Sequence, residues 1–167
     1  MKHILFVCTG NTCRSSMAEG IFKDELLKNK ELKDKFTVES AGVNAYDGDT
    51  ASANSINVLK EKYGIDISGH RSQLINDALI DKADLILTMT VGHREALIGS
   101  FPKAKGKTYT LKEFVIRNSK TDGNDGGSLD VRDPFGGSAD IYEKCAEEIA
   151  SELRKLMDIL PNYFNNV

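Results

Sequence analysis

The chain has 167 residues, of which 40% are hydrophobic and 28% charged, and its formal net charge is −3. These values are typical of a globular protein with an ordinary core, and we expect residues 1–167 to form a single domain. The small negative charge, with no basic stripe against it, gives no reason to expect nucleic acid as a partner. The longest apolar runs are too short to span a bilayer, so no membrane association is expected.

Strands and helices are predicted to alternate along the chain. Lys2–Val7 is almost continuously apolar, as in a strand covered on both faces, and a helical spacing of apolar residues then extends to about Lys28. The later elements are a strand at Phe36–Ser40, helices at Thr50–Tyr63 and Ser72–Lys82, a strand at Ala83–Met89, a helix at Val91–Ile98, a strand at Lys107–Leu111, an exposed polar loop at 117–132 and a long helix from Ser138. This alternation predicts an α/β fold with a parallel sheet covered by helices on both faces.

The loop that follows the first predicted strand carries the strongest chemical signal. It runs Cys8-Thr9-Gly10-Asn11-Thr12-Cys13-Arg14-Ser15, between a strand and a helix. A strand, a tight loop and a helix N-terminus form an anion cradle of inward-facing N–H groups, and such surroundings favour a thiolate. We expect Gly10 and Asn11 to supply unusual backbone angles there. The planar fork of Arg14 can grip two oxygens of a tetrahedral anion, so the pattern predicts phosphoryl transfer to sulfur.

A second motif could supply the acid that this reaction needs. When a thiolate attacks phosphorus, the departing group must be protonated. Asp133-Pro134-Phe135 lies between the polar loop and the last helix, where it could reach over the cradle, and the ring of Phe135 could wall the entrance. Taken alone, Asp-Pro followed by Gly136 and Gly137 is ordinary turn chemistry. Beside the Cys8 loop, we favour the acid.

Together the two motifs resemble the low-molecular-weight protein tyrosine phosphatases, whose signature is Cys, five residues, Arg, then Ser or Thr. The resemblance covers most of the chain, including Ser40–Gly42 and Asp84–Met89. It implies a single four-stranded parallel sheet flanked by helices, with no metal and no organic cofactor. It also implies roles: Cys8 forms a phosphocysteine, Arg14 binds phosphate, Asp133 acts as acid and then as base, Asn11 holds the loop in shape, and Ser15 donates to the thiolate. We expect the substrate to be bound by the remaining residues of the loop and by the ring after Asp133, namely Thr9, Gly10, Asn11, Thr12, Cys13, Ser15 and Phe135.

Within that family the sequence is most similar to the bacterial protein arginine phosphatases. Thr9–Thr12, Thr110–Val115 and Asp133–Ser138 all resemble that branch, whereas tyrosine-acting members tend to have an aliphatic residue in place of Thr12. A phosphorylated guanidinium is rich in N–H donors, so a hydroxyl acceptor on the pocket wall suits it better than an aliphatic group does. The resemblance therefore implies hydrolysis of phosphoarginine on proteins, with phosphotyrosine as the alternative substrate. A Thr12 hydroxyl bonded to the loop backbone is the competing interpretation of that residue.

The remaining cysteines and one histidine have simpler interpretations. The odd number of cysteines and a reactive thiol favour a reducing compartment, and Met1–His3 leads directly into a strand, so we expect a cytoplasmic monomer without a cleaved signal. The resemblance suggests a reversible Cys8–Cys13 disulfide, although Cys13 as a small buried filler is equally compatible with the sequence. Cys145 lies on the apolar stripe of the last helix and is predicted to be core. The resemblance implies that in tyrosine-acting members a histidine at the position of His70 supports the asparagine of the loop, but for this chain we predict that His70 faces solvent.

Other activities fit the sequence less well. A phosphocysteine carrier needs neither Arg14 nor Asp133, and a thioredoxin-coupled arsenate reductase needs two further cysteines, whereas Cys145 alone remains outside the loop. A silent phosphate-binding module would not need the complete set of nucleophile, clamp and acid. Residues 122–127 resemble half of a calcium loop but lack its later carboxylates, so no metal is expected.

Overall fold

A computed structural model describes residues 1–120 and 126–165. Within these ranges the sheet has four parallel strands in the order β2-β1-β3-β4, which confirms the predicted architecture. The strands are β1 (Lys2–Cys8), β2 (Phe36–Gly42), β3 (Leu85–Thr88) and β4 (Thr108–Thr110). Because all four run in one direction, their carboxyl ends meet at one edge of the sheet, where ligands of such folds bind.

Helices lie between successive strands of the sheet, as connections between parallel strands usually require. The helices are α1 (Arg14–Lys28), α2 (Ala53–Tyr63), α3 (Asp77–Lys82), α4 (Val91–Ser100), α5 (Leu111–Asn118) and α6 (Ala139–Asn165), with a 3-10 helix at Pro102–Lys107. None of the helices in the described part of the chain is long and apolar enough to cross a membrane.

The helix predicted at Ser72–Lys82 begins only at Asp77, so this prediction was wrong in its first half. The Asn76 side chain caps the helix by accepting a hydrogen bond of 3.0 Å from the N–H of Leu79. The preceding residues extend the sheet edge instead, since Leu74 bridges Gly42 in parallel and the N–H of Ile75 donates to Gly42 O at 2.9 Å. Pairing with the end of β2 outweighs the local helical pattern.

Helix α5 was not predicted. It starts with a capping box, in which the Thr110 hydroxyl accepts from the N–H of Glu113 and the Glu113 carboxylate accepts from the N–H of Thr110. The exposed loop predicted at 117–132 therefore begins after Asn118, and residues 121–125 of it lie outside the described residues.

Two apolar clusters cover the two faces of the sheet, as predicted. Alternate residues of β1 point to opposite faces, so Ile4 and Phe6 pack in one cluster while Leu5 and Val7 pack in the other. The first cluster contains the apolar stripe of α6, including Cys145, which is 6% exposed. Burial raises the pKa of Cys145 to about 12, which keeps it a thiol and confirms it as a core residue.

Candidate active site

A cradle lies at the carboxyl end of the central strand β1. The strand ends at Cys8 and helix α1 begins at Arg14, so the residues between them form a tight loop with the helix N-terminus behind it. The segment after β2 supports this loop from outside through three backbone hydrogen bonds. These run from the N–H of Val43 to Cys8 O at 2.9 Å, from Asn44 to Thr9 O at 3.0 Å and from Ser52 to Thr12 O at 2.9 Å.

Asn11 holds the loop in its bent form. It is fully buried and has a φ of 57°, in the left-handed region that asparagine tolerates better than most residues. Its Nδ2 donates to Ser15 Oγ and to Ser40 Oγ, both at 2.8 Å, and its Oδ1 accepts from the N–H of Gln73 at 3.0 Å. The expectation for Gly10 was wrong, because its φ is not in the positive range.

A cluster of polar side chains, which the sequence did not predict, lies next to Asn11. The Ser40 hydroxyl donates to the Glu19 carboxylate, and Nδ1 of His70 lies 3.8 Å from the same carboxylate. His70 Nε2 lies 2.7 Å from the backbone oxygen of Asn11. The side chain of His70 is 9% exposed, so the prediction that it faces solvent was wrong. These groups tie the loop to β2 and α1.

The Cys8 sulfur lies inside the cradle, beside a hydroxyl. Cys8 Sγ and Ser15 Oγ are 2.8 Å apart, and both residues are buried. Asn11 Nδ2 donates to one of the two lone pairs of Ser15 Oγ, and the proton of this hydroxyl remains available to point at sulfur. A hydroxyl donating in this way stabilises negative charge on sulfur.

Arg14 joins the cradle to the Asp133 motif. Its buried guanidinium donates from Nη1 to Val131 O at 3.1 Å, and its Nη2 lies 3.5 Å from Asp133 Oδ2. Val131 is itself fixed, because its N–H donates to Met89 O at 2.7 Å, just beyond β3. The carboxylate of Asp133 is 55% exposed, so it faces the open side of the cradle. Phe135, 80% exposed, follows it at the rim.

Thr12 and Cys13 occupy the far side of the loop. In the described chain the Thr12 hydroxyl has one hydrogen-bond contact, a long approach of 3.9 Å to Cys13 Sγ. Cys13 Sγ donates to Ser52 Oγ and contacts Tyr142 Oη, each at 3.4 Å. All three cysteines are buried free thiols. Burial, followed by the contact with Cys13, raises the pKa of Tyr142, so its phenol stays protonated.

His93 is a site residue for which the sequence carried no signal, because it lies in a helix far along the chain. Its Nε2 lies 2.8 Å from Thr9 Oγ1, and the ring is buried beneath the exposed Thr9. Among the described residues, no cluster of His, Cys, Asp or Glu is arranged to hold a metal ion. The arrangement offers a sulfur nucleophile, a cationic clamp and a half-exposed carboxylate, which together suit transfer of a phosphoryl group.

A parallel sheet with an anion cradle at its carboxyl edge is the architecture of an α/β phosphate-binding protein. The family model described as "Low molecular weight phosphotyrosine protein phosphatase" matches residues 3–164, and the chain belongs to this family.

Three relatives illustrate the similarity. The protein-arginine-phosphatase of Geobacillus stearothermophilus is 45% identical over 157 residues, which cover 94% of this chain and 95% of the relative. The low molecular weight protein-tyrosine-phosphatase PtpB of Staphylococcus haemolyticus is 37% identical over 153 residues, covering 92% of this chain and 96% of the relative. A solved structure of the YwlE arginine phosphatase, a cysteine-to-serine mutant with a phosphorylated active site serine, is 38% identical with a TM-score of 0.83, covering 95% of each chain.

Proposed function

We propose that this protein is a cysteine-dependent protein phosphatase that hydrolyses phosphoarginine on proteins through a phosphocysteine intermediate. The observation that carries the proposal is that one short loop holds the Cys8 thiol beside the Ser15 hydroxyl and holds the Arg14 guanidinium 3.5 Å from Asp133, a carboxylate from a distant part of the chain. The similarity to a protein-arginine-phosphatase over nearly the full length of both chains supports the substrate.

The proposed reaction has two steps. The Cys8 thiolate attacks phosphorus, the bond from phosphorus to the guanidino nitrogen breaks, and protonated Asp133 gives its proton to that nitrogen. Water then attacks the phosphocysteine while the Asp133 carboxylate removes a proton, and the sulfur leaves as thiolate. Arg14 and the loop N–H groups bind the phosphoryl oxygens in both steps. The phosphorylated active site serine in the YwlE mutant supports a covalent intermediate at the corresponding position.

The geometry around Thr12 supports a guanidino substrate. Its hydroxyl makes no hydrogen bond to the loop backbone within the described part of the chain, so its lone pairs are available to a ligand. This favours substrate selection over the competing interpretation of Thr12 as a backbone-bonding residue. The carbonyl oxygen of the half-exposed, protonated Asp133 carboxyl group adds a second acceptor for guanidino N–H groups. We infer that phosphorylated proteins are the partners and that the enzyme acts as a cytoplasmic monomer.

Phosphotyrosine remains the second candidate substrate. The family model carries that name, PtpB is 37% identical, and His70 contacts the Asn11 backbone, as the resemblance implies for tyrosine-acting members. A phosphocysteine carrier and an arsenate reductase are less well supported. A carrier has no use for the Arg14–Asp133 pair, and a reductase relay has no second cysteine beyond Cys145, whose thiol is buried in the core.

Initial rates on two peptides of matching sequence test the proposal. One peptide carries phosphoarginine and the other phosphotyrosine, and kcat/KM is measured on each. We expect kcat/KM to be higher on the phosphoarginine peptide. The variant Cys8→Ser should abolish turnover on both peptides, which controls for contaminating phosphatases. A higher kcat/KM on the phosphotyrosine peptide would make phosphotyrosine the substrate. Formation of one equivalent of phosphorylated enzyme without turnover would indicate a carrier.

A further inference from the structure

A second hydroxyl of the loop, besides that of Thr12, is held by a contact with a distant residue. Thr9 directly follows Cys8 and is exposed, yet its Oγ1 is held 2.8 Å from Nε2 of the buried His93. An exposed threonine would otherwise rotate freely among its rotamers. The contact with His93 therefore restricts the direction in which the Thr9 hydroxyl points.

His93 is itself held rigidly at the start of α4. Its N–H donates to the Thr90 side chain at 3.0 Å, and the N–H of Val91 donates to Asp130 Oδ1 at 2.7 Å. Burial, followed by the charge of Arg14, lowers the pKa of His93 to about 4. The ring is therefore neutral at physiological pH and carries a proton on one nitrogen only. His93 Nδ1 is buried with no hydrogen-bond partner among the described residues.

Both tautomers of the neutral ring leave the Thr9 hydroxyl able to accept a hydrogen bond. If Thr9 donates to Nε2, both lone pairs of Oγ1 stay free. If Nε2–H donates to Thr9, one lone pair of Oγ1 stays free. A hydroxyl held in one direction loses less conformational entropy when it binds a ligand than a freely rotating one does.

We propose that His93 is a positioning residue for substrate selection, which holds the Thr9 hydroxyl as an acceptor for the N–H groups of a phosphorylated guanidine. The Thr9 hydroxyl then acts together with the Thr12 hydroxyl, so that two acceptors of the loop are available to the planar, donor-rich substrate. A phenyl ring offers no donor to either hydroxyl, so the pair favours a guanidino group over an aromatic ring. This inference rests on the proposed function and names the groups that set its selectivity.

Four variants test the inference: His93→Leu, His93→Gln, Thr9→Val and the double variant His93→Leu/Thr9→Val. The readout is the ratio of kcat/KM on the phosphoarginine peptide to kcat/KM on the phosphotyrosine peptide. One neutral hydrogen bond corresponds to about a 3- to 10-fold change, so His93→Leu and Thr9→Val should each lower the ratio by that amount. The double variant should lower it no further, because both single changes remove the same interaction. His93→Gln, which can place a nitrogen near Nε2, should restore most of the ratio.

Glu95→Gln is the matched control, since Glu95 is on the same helix and its side chain is 64% exposed. It should leave the ratio unchanged.

Equal losses of kcat/KM on both peptides in His93→Leu would overturn the inference, because they would indicate that His93 supports the loop and does not select the substrate. Independent, multiplying losses in the double variant would also overturn it. If His93→Leu does not fold, an unchanged ratio in Thr9→Val overturns it alone. If the wild-type enzyme does not hydrolyse the phosphoarginine peptide, both this inference and the proposed function are wrong. If the wild-type enzyme prefers the phosphoarginine peptide and the variants keep the same ratio of kcat/KM, only this inference is wrong.

Discussion

The proposed role of Asp133 is to donate a proton to the leaving group of the substrate. Asp133 is half exposed, faces the open side of the cradle and pairs with Arg14 at 3.5 Å. A guanidino nitrogen is a poor leaving group and needs that proton, whereas a nitrophenolate departs readily without it. We therefore expect Asp133→Ala to lower kcat/KM on a phosphoarginine peptide by about 100-fold or more, and on p-nitrophenyl phosphate by about 10-fold or less.

The control for this prediction is another carboxylate near the same segment. Asp140 lies in the first turn of α6 and is exposed, so Asp140→Asn should leave both rates within about twofold of wild type. Equal slowing of the two substrates by Asp133→Ala would argue against proton donation and for a purely electrostatic effect on Arg14.

The prediction for Thr12 concerns the preference between the two substrates and not the rate of the reaction. The Thr12 hydroxyl makes no hydrogen bond to the loop backbone among the described residues, where its one hydrogen-bond contact is the 3.9 Å approach to Cys13 Sγ. Thr12→Ile replaces an acceptor with an aliphatic surface suited to a phenyl ring. We expect the ratio of kcat/KM on phosphoarginine to that on phosphotyrosine to fall by about 10-fold, since a buried guanidino N–H would lose its partner. Thr12→Ser, which keeps the hydroxyl, is the matched control, and unchanged ratios in both variants would contradict the prediction.

The residues of the site differ in how visible they are in the sequence. Cys8, Arg14 and Ser15 could be proposed from the sequence because the loop is local and follows a strand and precedes a helix, which is the context of an anion cradle. Asp133 was predicted because the reaction needs an acid, although its contact with Arg14 is made only in three dimensions. His70 and His93 were misjudged or missed, because the partner of each lies on another element, Asn11 and Thr9 respectively. These contacts arise from the packing of distant elements, so no local sequence pattern indicates them.

At the scale of the element, the end of β2 is in close contact with the loop between Cys8 and Arg14. A Cβ at Gly42 would lie 2.3 Å from Thr9 O and 3.0 Å from the nitrogen of Asn11, both backbone atoms. Gly42→Ala therefore forces the loop or the strand to shift. Since overpacking typically costs 1–3 kcal/mol, we expect the free energy of unfolding to fall by about 2 kcal/mol and phosphate affinity to fall by about 10-fold or more.

Gly99→Ala is the control for that substitution. Gly99 lies in α4, and a Cβ there would have no neighbour within 4 Å. Alanine is the better helix former by about 0.8–1 kcal/mol, so this variant should gain stability and bind phosphate normally. Urea unfolding and calorimetric titration with phosphate measure both quantities. Normal phosphate binding by Gly42→Ala would show that the loop does not depend on this contact.

The elements themselves were predicted where burial imposes a simple pattern. Strands β1 and β3 are continuous apolar runs, and the apolar residues of α6 recur at helical spacing, so these elements could be predicted from the sequence. Helix α5 was missed because its capping box begins at Thr110, the last residue of β4, where a strand had just been predicted. Residues 72–76 were predicted as helix because their pairing with Gly42 depends on a distant strand. The single domain expected for residues 1–167 stays a prediction.

At the scale of the whole molecule, two buried histidines make stability depend on pH. Burial, followed by Arg14, lowers the pKa of His93 from 6.5 to about 4, and burial, followed by Lys82, lowers the pKa of His3. The folded protein thus keeps these rings neutral, whereas the unfolded chain protonates them below about pH 6.5. Proton binding to the unfolded chain then favours unfolding. We expect stability to be full above pH 6.5 and to fall as the pH drops towards 4, by on the order of 3 kcal/mol for His93 alone.

The variant His93→Gln isolates this effect. Glutamine does not titrate, so the loss of stability between pH 6.5 and 4.5, measured by urea unfolding, should be clearly smaller than in wild type. The carboxylates act in a different window: hydrogen bonds from Ser68 lower the pKa of Asp66 below its usual value of 3.8, so its stabilisation is lost only at more acidic pH. Asp66→Asn should therefore leave the slope between pH 6.5 and 4.5 as in wild type. An equally steep slope in His93→Gln would mean that the ring is already charged in the folded protein, which would also remove the tautomer argument for Thr9.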